Sequence, residues 1–213
     1  MNIGKYKPII ENFFSLSVLN VVNIVLQLIT LPYILSIVGK DNYGIYSYVY
    51  MVVQYIILFS TYGFNYSATK QISQQRNDNS AITRIYNAVI GCKMLIAALL
   101  TVSVIICSGW VFEERIGYIM FLLGTGMIIG DILNPVWLFQ GMEKMKYMTI
   151  VNSSSKIVFT VLVFFVVHCM DDFYLLILLN SCGYLLAGIF SLVLARKQFN
   201  VKLAIPSMRD MMT

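Results

Sequence analysis

Residues 86–110 read YNAVIGCKMLIAALLTVSVIICSGW, an apolar run that one charged residue, Lys93, interrupts. A helix needs about 20 predominantly apolar residues to cross the hydrocarbon core of a bilayer, so this segment is long enough to span it. The whole chain is similar, with 59% of its 213 residues hydrophobic and 12% charged, whereas soluble domains average about 25% charged. This composition excludes a disordered chain, a disulfide-stabilised secreted domain and an ordinary cytosolic enzyme, and it predicts a polytopic membrane protein.

Five other segments match residues 86–110 in length and polarity. The six predicted spans are residues 13–37, 43–66, 86–110, 116–140, 150–169 and 173–195. Strands of a membrane barrel would alternate in polarity over about 10 residues, and these runs are longer and uniformly apolar. We therefore predict an all-α fold in which residues 1–195 form one six-helix transmembrane lobe. The first span is expected to remain as an uncleaved helix, because its apolar run exceeds that of a signal peptide.

The basic residues predict the orientation of the lobe. With a cytoplasmic N-terminus, the inner segments carry eleven basic residues: Lys5, Lys7, Lys70, Arg76, Arg84, Lys144, Lys146, Arg196, Lys197, Lys202 and Arg209. The outer loops then carry only Lys40 and Arg115. Because basic loops remain on the cytoplasmic side, both termini are predicted to be cytoplasmic. The same residues face anionic lipid headgroups, so the net charge of +5 needs no nucleic acid as a partner.

Polar side chains follow one face of each of the first two spans. On the first span the face lies within about 80° and comprises Asn20, Asn23, Gln27 and Thr30. On the second span it lies within about 60° and comprises Tyr43, Ser47, Tyr50, Gln54, Thr61 and Asn65. Such faces line a water-filled cavity or, alternatively, seal two neighbouring helices by hydrogen bonds. The length of the faces and their amides and tyrosines favour the cavity.

Three charged residues lie inside predicted spans. Lys156 is near a cytoplasmic end, where its side chain can extend to the interface. Lys93 and Asp131 lie deeper, about 10 Å and 14 Å from the inner ends of their helices. They either pair as a buried ion pair that holds two helices in register, or each faces an aqueous lumen. In the same region, Gly126 and Gly130 have the spacing that favours close helix packing.

No catalytic motif is present in the sequence. The single histidine, His168, stands beside Asp171 and Asp172 in a short loop, which is typical of ordinary interfacial polarity. The four cysteines form no CxxC pair, and we expect no metal and no cofactor. The sequence lacks GxSxG, HExxH and P-loop motifs, so it predicts neither an enzyme nor an ATP-driven pump.

Three segments resemble bacterial polysaccharide flippases. They are residues 23–44 (N-x3-Q-x4-P-Y-I-L, then V-G and Y-G), residues 63–70 (G-F-N, then S-A-T-K) and, most specifically, residues 134–145 (N-P-x-W-L-F-Q-G-x-E-x-M). The chain is similar to the O-antigen and capsular polysaccharide transporter family, in the superfamily of the multidrug and toxin extrusion exporters. The resemblance implies a bacterial inner-membrane protein that moves undecaprenyl-diphosphate-linked oligosaccharide across the membrane by alternating access, within two six-helix lobes.

The resemblance also implies a ligand and a set of contacts. A lipid-linked sugar needs amides and aromatic faces for the sugar and a cation for the diphosphate. The candidate substrate-binding residues are Asn20, Asn23, Gln27, Tyr50, Gln54, Asn65, Lys93 and Asp131. Lys93 is the expected phosphate-binding cation, so its replacement by Ala or Gln should impair transport without loss of protein. Expected partners are the lipid-linked oligosaccharide, membrane lipids and polysaccharide-assembly proteins.

The chain departs from the family pattern because it supplies only the first six helices. Residues 196–213 are basic and are expected to be the linker to a missing second lobe. The chain is then either a truncated product, which we favour, or a half-transporter that pairs with a separate lobe or another copy. Two other functions stay open: a cation-coupled exporter of small molecules with the same fold, and an inactive or scaffolding half-transporter.

Overall fold

A computed structural model describes the backbone of residues 3–112 and 114–201; in the first helix it describes the side chains of Phe13, Phe14, Ser17 and residues from Asn20 onward. Throughout these residues the regular elements are helices, which confirms the all-α prediction. Six helical stretches there are long and apolar enough to cross a membrane: residues 20–38, 40–74, 79–106, 115–141, 145–166 and 170–199. The prediction of a multi-pass membrane protein is therefore confirmed, and the tail from residue 202 onward lies outside the described residues.

The helices follow one another through short connections. Their bounds are α1 Ile3–Val38, α2 Lys40–Thr61, α3 Phe64–Gln74, α4 Asn79–Ile106, α5 Ser108–Val111, α6 Arg115–Leu133, α7 Val136–Gly141, α8 Met145–Val166 and α9 Phe173–Phe199. A 3-10 turn, Met170–Asp172, precedes α9. The most extensive helix contact is that of α6 with α9, and α8 packs against both α9 and α1.

Two of the six helical stretches, residues 40–74 and 115–141, are each made of two helices in series. The break between α2 and α3 falls at Gly63, whose φ of 79° lies in the left-handed region that favours glycine. The break between α6 and α7 falls at Asn134 and Pro135. Proline lacks the N–H that a continuing helix needs and forces the preceding residue toward extended backbone, as the φ of −97° and ψ of 96° at Asn134 show.

Small residues allow α6 and α9 to approach closely. A Cβ atom added at Gly130 would collide with the backbone of Tyr184, and one added at Gly188 would lie 2.6 Å from the carbonyl oxygen of Gly130. Neither backbone can move without displacing its helix. The predicted close packing at Gly126 and Gly130 is confirmed, and it fixes α6, and with it Asp131, against α9.

The outside of the bundle is apolar. Leu28 on α1, Leu99 on α4 and Phe165 on α8 expose 69%, 69% and 76% of their surfaces. A soluble protein does not present so many large exposed hydrophobic side chains, whereas lipid-facing helices do. The buried core instead lies between the helices and includes residues of α2, α6, α7, α8 and α9, among them Trp137 on α7 and Ile177 on α9.

The first turn of α4 is capped by a side chain. The Asp78 carboxylate accepts hydrogen bonds from the backbone N–H groups of Ser80 and Ala81, at 2.9 and 3.1 Å. The Ser80 hydroxyl donates a further hydrogen bond at 2.7 Å. These hydrogen bonds, that of the Ser80 side chain first, hold the pKa of Asp78 below its ordinary value. The cap fixes where α4 begins relative to α3.

Candidate substrate cavity

One cavity of about 640 Å³ lies among α1, α2, α6, α8 and α9. This volume falls within the usual range of ligand sites, about 300–1,000 Å³. The polar residues that line it are Asn23, Gln27, Thr30, Tyr43, Tyr46, Ser47, Tyr50, Asp131, Asn134, Asn152, Ser155, Lys156, Thr160, Asn180 and Tyr184. A polar cavity inside an apolar bundle holds water or a polar ligand, because unsatisfied polar groups are costly in a dry interior.

The wall formed by α1 and α8 carries amides and an amine. Asn23 and Gln27 of α1 line this wall together with Asn152 and Lys156 of α8. The two helices meet at Thr30, whose hydroxyl lies 3.3 Å from that of Thr160. The polar face of α1 therefore does both things that its sequence pattern allowed: part of it lines the cavity, and part forms a hydrogen bond with a neighbouring helix.

The wall formed by α2 and α9 is aromatic. The ring centroids of Tyr43 and Tyr46 are 5.6 Å apart, and those of Tyr46 and Tyr50 are 5.8 Å apart. Asn180 of α9 donates a hydrogen bond to the Tyr46 hydroxyl at 2.7 Å, which fixes that ring. The result is a row of phenol rings along one side of the cavity, with hydroxyl groups at their edges.

The break between α6 and α7 places Asn134 at the cavity wall. The Asn134 amide nitrogen donates to Asn152 Oδ1 at 3.2 Å, and its carbonyl oxygen accepts from the Ser191 hydroxyl at 2.8 Å. One side chain thus joins the break to α8 and α9. Because both neighbours also belong to the packed bundle, the position of the break is fixed by hydrogen bonds on two sides.

Lys93 and Asp131 form an ion pair beside the cavity. Lys93 Nζ lies 2.8 Å from Asp131 Oδ2 and donates to the Asp131 carbonyl oxygen at 3.2 Å. It also lies 5.3 Å from the ring centroid of Trp137, within the range of a cation–π contact. The Thr61 hydroxyl donates to the same carboxylate oxygen at 3.3 Å. The sequence allowed either a buried ion pair or two charges that face an aqueous lumen, and the structure shows the ion pair.

The charges around the cavity do not cancel. The Asp131 carboxylate reaches the cavity wall, but its charge is compensated from behind by Lys93, whose side chain is only 2% exposed. Lys156 lines the cavity without an ion pair or hydrogen bond to any described residue. The cavity therefore has one uncompensated positive charge, which favours an anionic ligand. The described residues include no cluster of His, Cys, Asp or Glu that would hold a metal ion.

The predicted site residues fall into two groups. Asn23, Gln27, Tyr50 and Asp131 line the cavity. The other four do not: Asn20, Gln54, Asn65 and Lys93. Asn20 is exposed on α1, Asn65 lies beyond the break at Gly63, and the Gln54 amide donates to the Tyr184 hydroxyl at 3.3 Å. Substrate contact by any of these eight residues stays a prediction.

Residues of α8 and α9 also line the cavity, which the polar faces of the first two spans did not predict. On each of these two helices the lining residues share one helical face, a pattern that the sequence contains. On α8 they are Asn152, Ser155, Lys156, Phe159 and Thr160, and on α9 they are Asn180, Gly183, Tyr184 and Ala187. The small residues of the second face, Gly183 and Ala187, are equally typical of close helix packing. Lys156 had been placed at the interface, whereas it lies about 17 Å along α8 from Met145 and borders the cavity.

The chain is similar in sequence to known proteins of one family. Residues 9–213 match the family described as "Polysaccharide biosynthesis protein". A curated protein of Escherichia coli strain K12, named "Putative O-antigen transporter", is 29% identical over 184 residues, which cover 86% of this chain and 44% of that protein. A protein of Shigella dysenteriae with the same name is 27% identical over 187 residues, which cover 88% of this chain and 47% of that protein.

The chain spans about half the length of these curated relatives. No solved structure matches it. The arrangement in two lobes, as in the multidrug and toxin extrusion exporters, therefore stays a prediction for this chain.

Proposed function

The chain belongs to the family of polysaccharide biosynthesis proteins, and from that premise we propose that it forms part of a transporter for lipid-linked oligosaccharide. The ligand would be an oligosaccharide joined to undecaprenyl diphosphate, carried across the bacterial inner membrane during O-antigen, capsule or exopolysaccharide assembly. Membership of the family and the names of the two relatives support translocation rather than catalysis. The lipid-linked form of the substrate and alternating access are our proposal.

The observation that carries the proposal is the polar, positively charged cavity inside an apolar bundle. Amide side chains on α1 and α8 offer donors and acceptors to sugar hydroxyls. The half-buried phenol rings of Tyr43 and Tyr50 offer flat apolar faces on which sugar rings stack, and the buried Tyr46 ring lies between them. Lys156 is the cation that we assign to the diphosphate, in place of Lys93, because its charge is uncompensated.

In this proposal, a complete transport cycle requires a second lobe in addition to the six helices of this chain. Since the curated relatives are about twice as long, we infer that a second lobe, supplied by further sequence or by another copy, closes the open side of the cavity. The charge distribution supports cytoplasmic termini. In this arrangement the cavity is exposed alternately to each side of the membrane as the two lobes move.

Binding to the purified chain tests the proposal. The probe is undecaprenyl-diphosphate-linked N-acetylglucosamine, added to the chain in phosphatidylcholine nanodiscs, with the dissociation constant as the readout. Because hydrogen bonds to charged groups contribute about 1.5–3 kcal/mol, Lys156→Gln should weaken binding by about tenfold or more. The control is Lys144→Gln, which removes the same charge from the exposed start of α8, away from the cavity.

A second arm tests transport in cells. The chain is expressed in a strain that lacks its O-antigen transporter, alone and together with the matching second half of an O-antigen transporter, and surface polysaccharide is measured. Restoration in either case supports the proposal. The proposal would be overturned if neither expression restored surface polysaccharide and the wild type and Lys156→Gln bound the probe equally. An inactive or scaffolding half-transporter would then remain.

A further inference from the structure

A second cavity, of about 250 Å³, opens between α3 and α4. None of its described lining residues belongs to the substrate cavity. We call it the α3–α4 groove, and its ten described residues are Phe64, Ser67, Ala68, Gln71, Gln75, Arg84, Ile85, Ala88, Val89 and Cys92. On each helix these positions recur every three or four residues, so the groove is formed by one face of α3 and one face of α4.

The groove is polar at one end and apolar at the other. The chain reverses direction between Gln74 and Asn79, so Gln75 lies near Arg84, and Phe64 lies near the level of Cys92. Gln71, Gln75 and Arg84 therefore mark the end at the helix connection, and Phe64, Val89 and Cys92 mark the end inside the membrane. Along α4, Arg84 and Cys92 are about 12 Å apart. This gradient matches a phospholipid, with its headgroup at the surface and its acyl chain below.

The charge at the polar end is available to a ligand. Arg84 is exposed and has no ion pair or hydrogen bond within the described part of the chain. Nearby Arg76 differs, because it donates to Glu143 at 2.7 Å and to the Gly141 carbonyl oxygen at 2.8 Å. Asp78 attracts Arg84 through space, but its carboxylate is occupied in capping α4. None of the ten described groove residues is acidic.

We propose that the α3–α4 groove binds one anionic phospholipid of the surrounding membrane. Its phosphate lies at Arg84, the amides of Gln71 and Gln75 donate to the headgroup, and an acyl chain runs over Val89 and Cys92. Basic pockets between transmembrane helices at the membrane surface recognise anionic headgroups in this way. The lipid would lie at the same end of the bundle as the ion pair of Arg76 with Glu143, which joins the connection after α3 to the residues after α7.

The test counts the lipids that remain on the purified chain. The chain is extracted from nanodiscs of equal parts phosphatidylglycerol and phosphatidylcholine, and native mass spectrometry measures the fraction that carries phosphatidylglycerol. We expect one phosphatidylglycerol to be retained in preference to phosphatidylcholine. Arg84→Gln should lower the ratio of lipid-bound to lipid-free chain about fivefold, because one basic residue at the surface contributes about 1 kcal/mol.

Two further variants separate the groove from general surface charge. Lys70→Gln removes the same charge from an exposed position of α3 outside the groove, and it should retain the lipid. Ala88→Phe fills the groove and leaves Arg84 in place, and it should lose the lipid. Thermal melting of each variant verifies that the fold is intact.

Three results would overturn the proposal. They are retention by Arg84→Gln equal to the wild type, an equal loss in Lys70→Gln, or displacement of phosphatidylglycerol by undecaprenyl phosphate, which would make the groove a site for the carrier lipid. The outcome is independent of the proposed transport function, since Lys156→Gln should retain phosphatidylglycerol as the wild type does.

Discussion

Two lysines inside the bundle differ in everything except residue type. Lys93 on α4 is buried and is held by Asp131 and Trp137. Lys156 on α8 is half-buried, borders the cavity and has no ion pair in the described chain. The first is part of the packing between α4 and α6, and the second is the cation that we propose for ligand binding. The partners of a charged residue within a span, and not its depth, therefore indicate its role.

The ion pair leads us to propose for each lysine a role other than the one expected from the sequence. Lys93 had been assigned to the diphosphate and Lys156 to the interface. A cation that is already paired and desolvated gains little from a phosphate, since binding would first have to break the pair. A cation at the wall of a polar cavity needs no such step. Substitution of Lys93 should therefore lower the stability of the fold, whereas substitution of Lys156 should lower the affinity for the ligand.

The largest effect is expected at Lys93. In Lys93→Met the Asp131 carboxylate, whose side chain is 23% exposed, loses its cation. Breaking one side of such a pair costs about 3 kcal/mol, so the free energy of unfolding in detergent should fall by about that amount and the amount of folded protein should fall with it. This differs from the expectation drawn from sequence, which was impaired transport without loss of protein.

A double variant serves as the control for Lys93. Lys93→Met with Asp131→Leu removes both charges and should recover the free energy of unfolding to within about 1 kcal/mol of the wild type, because apolar pairs of similar volume replace ion pairs at little cost. Were Lys93→Met alone as stable as the wild type, Lys93 would not be a structural residue and the contrast with Lys156 would be lost.

A smaller effect is expected at Gly130, which places Asp131 between Lys93 and the cavity. Gly130→Ala should lower the free energy of unfolding by about 1–3 kcal/mol, because its Cβ would meet the backbone of Tyr184 rather than a movable side chain. Gly183→Ala is the matched control. Its Cβ would lie 3.5 Å from the Ser155 carbonyl oxygen, an ordinary contact, so it should be neutral or slightly stabilising. Equal losses in both variants would show that α6 and α9 are not locked at Gly130.

The smallest effect on stability is expected at Lys156. Lys156→Gln removes a charge that no described residue balances, so the free energy of unfolding should change by less than about 0.5 kcal/mol, even though ligand affinity falls. Chemical denaturation in the same detergent as for Lys93→Met gives a direct comparison. A loss as large as that of Lys93→Met would mean that Lys156 is also a structural residue.

Much of the fold could be predicted from the sequence because apolar length and helical period are local properties. The six spans and the cavity-facing positions of Asn23, Gln27 and Tyr50 follow from them. The break at Asn134 also has a local signal, in Pro135, which predicts that α6 cannot continue. In the sequence analysis Pro135 serves only as part of the motif that carries the family resemblance, and no helix break is predicted from it.

The rest of the site depends on how each helix is rotated about its axis. Tyr184 shares a face with Gly183 and Ala187, a pattern that is equally typical of helix packing and of a cavity wall. Which of the two it forms is decided by contacts with α2 and α6 that are distant in sequence. The same holds for Lys93, since only the packing of α4 against α6 shows that its amine meets Asp131 and not the lumen.

The central claim, that one face of α1 and one face of α2 border water, is tested most directly by thiol labelling. The native cysteines are replaced by Ser, and single cysteines are introduced at Asn23, Gln27 and Tyr50, which line the cavity, and at Leu28 and Leu99, which face outward. A charged, water-soluble methanethiosulfonate reagent is added to the chain in nanodiscs. We predict rapid labelling at positions 23, 27 and 50 and none at 28 and 99. Equal protection of all five positions would contradict the account.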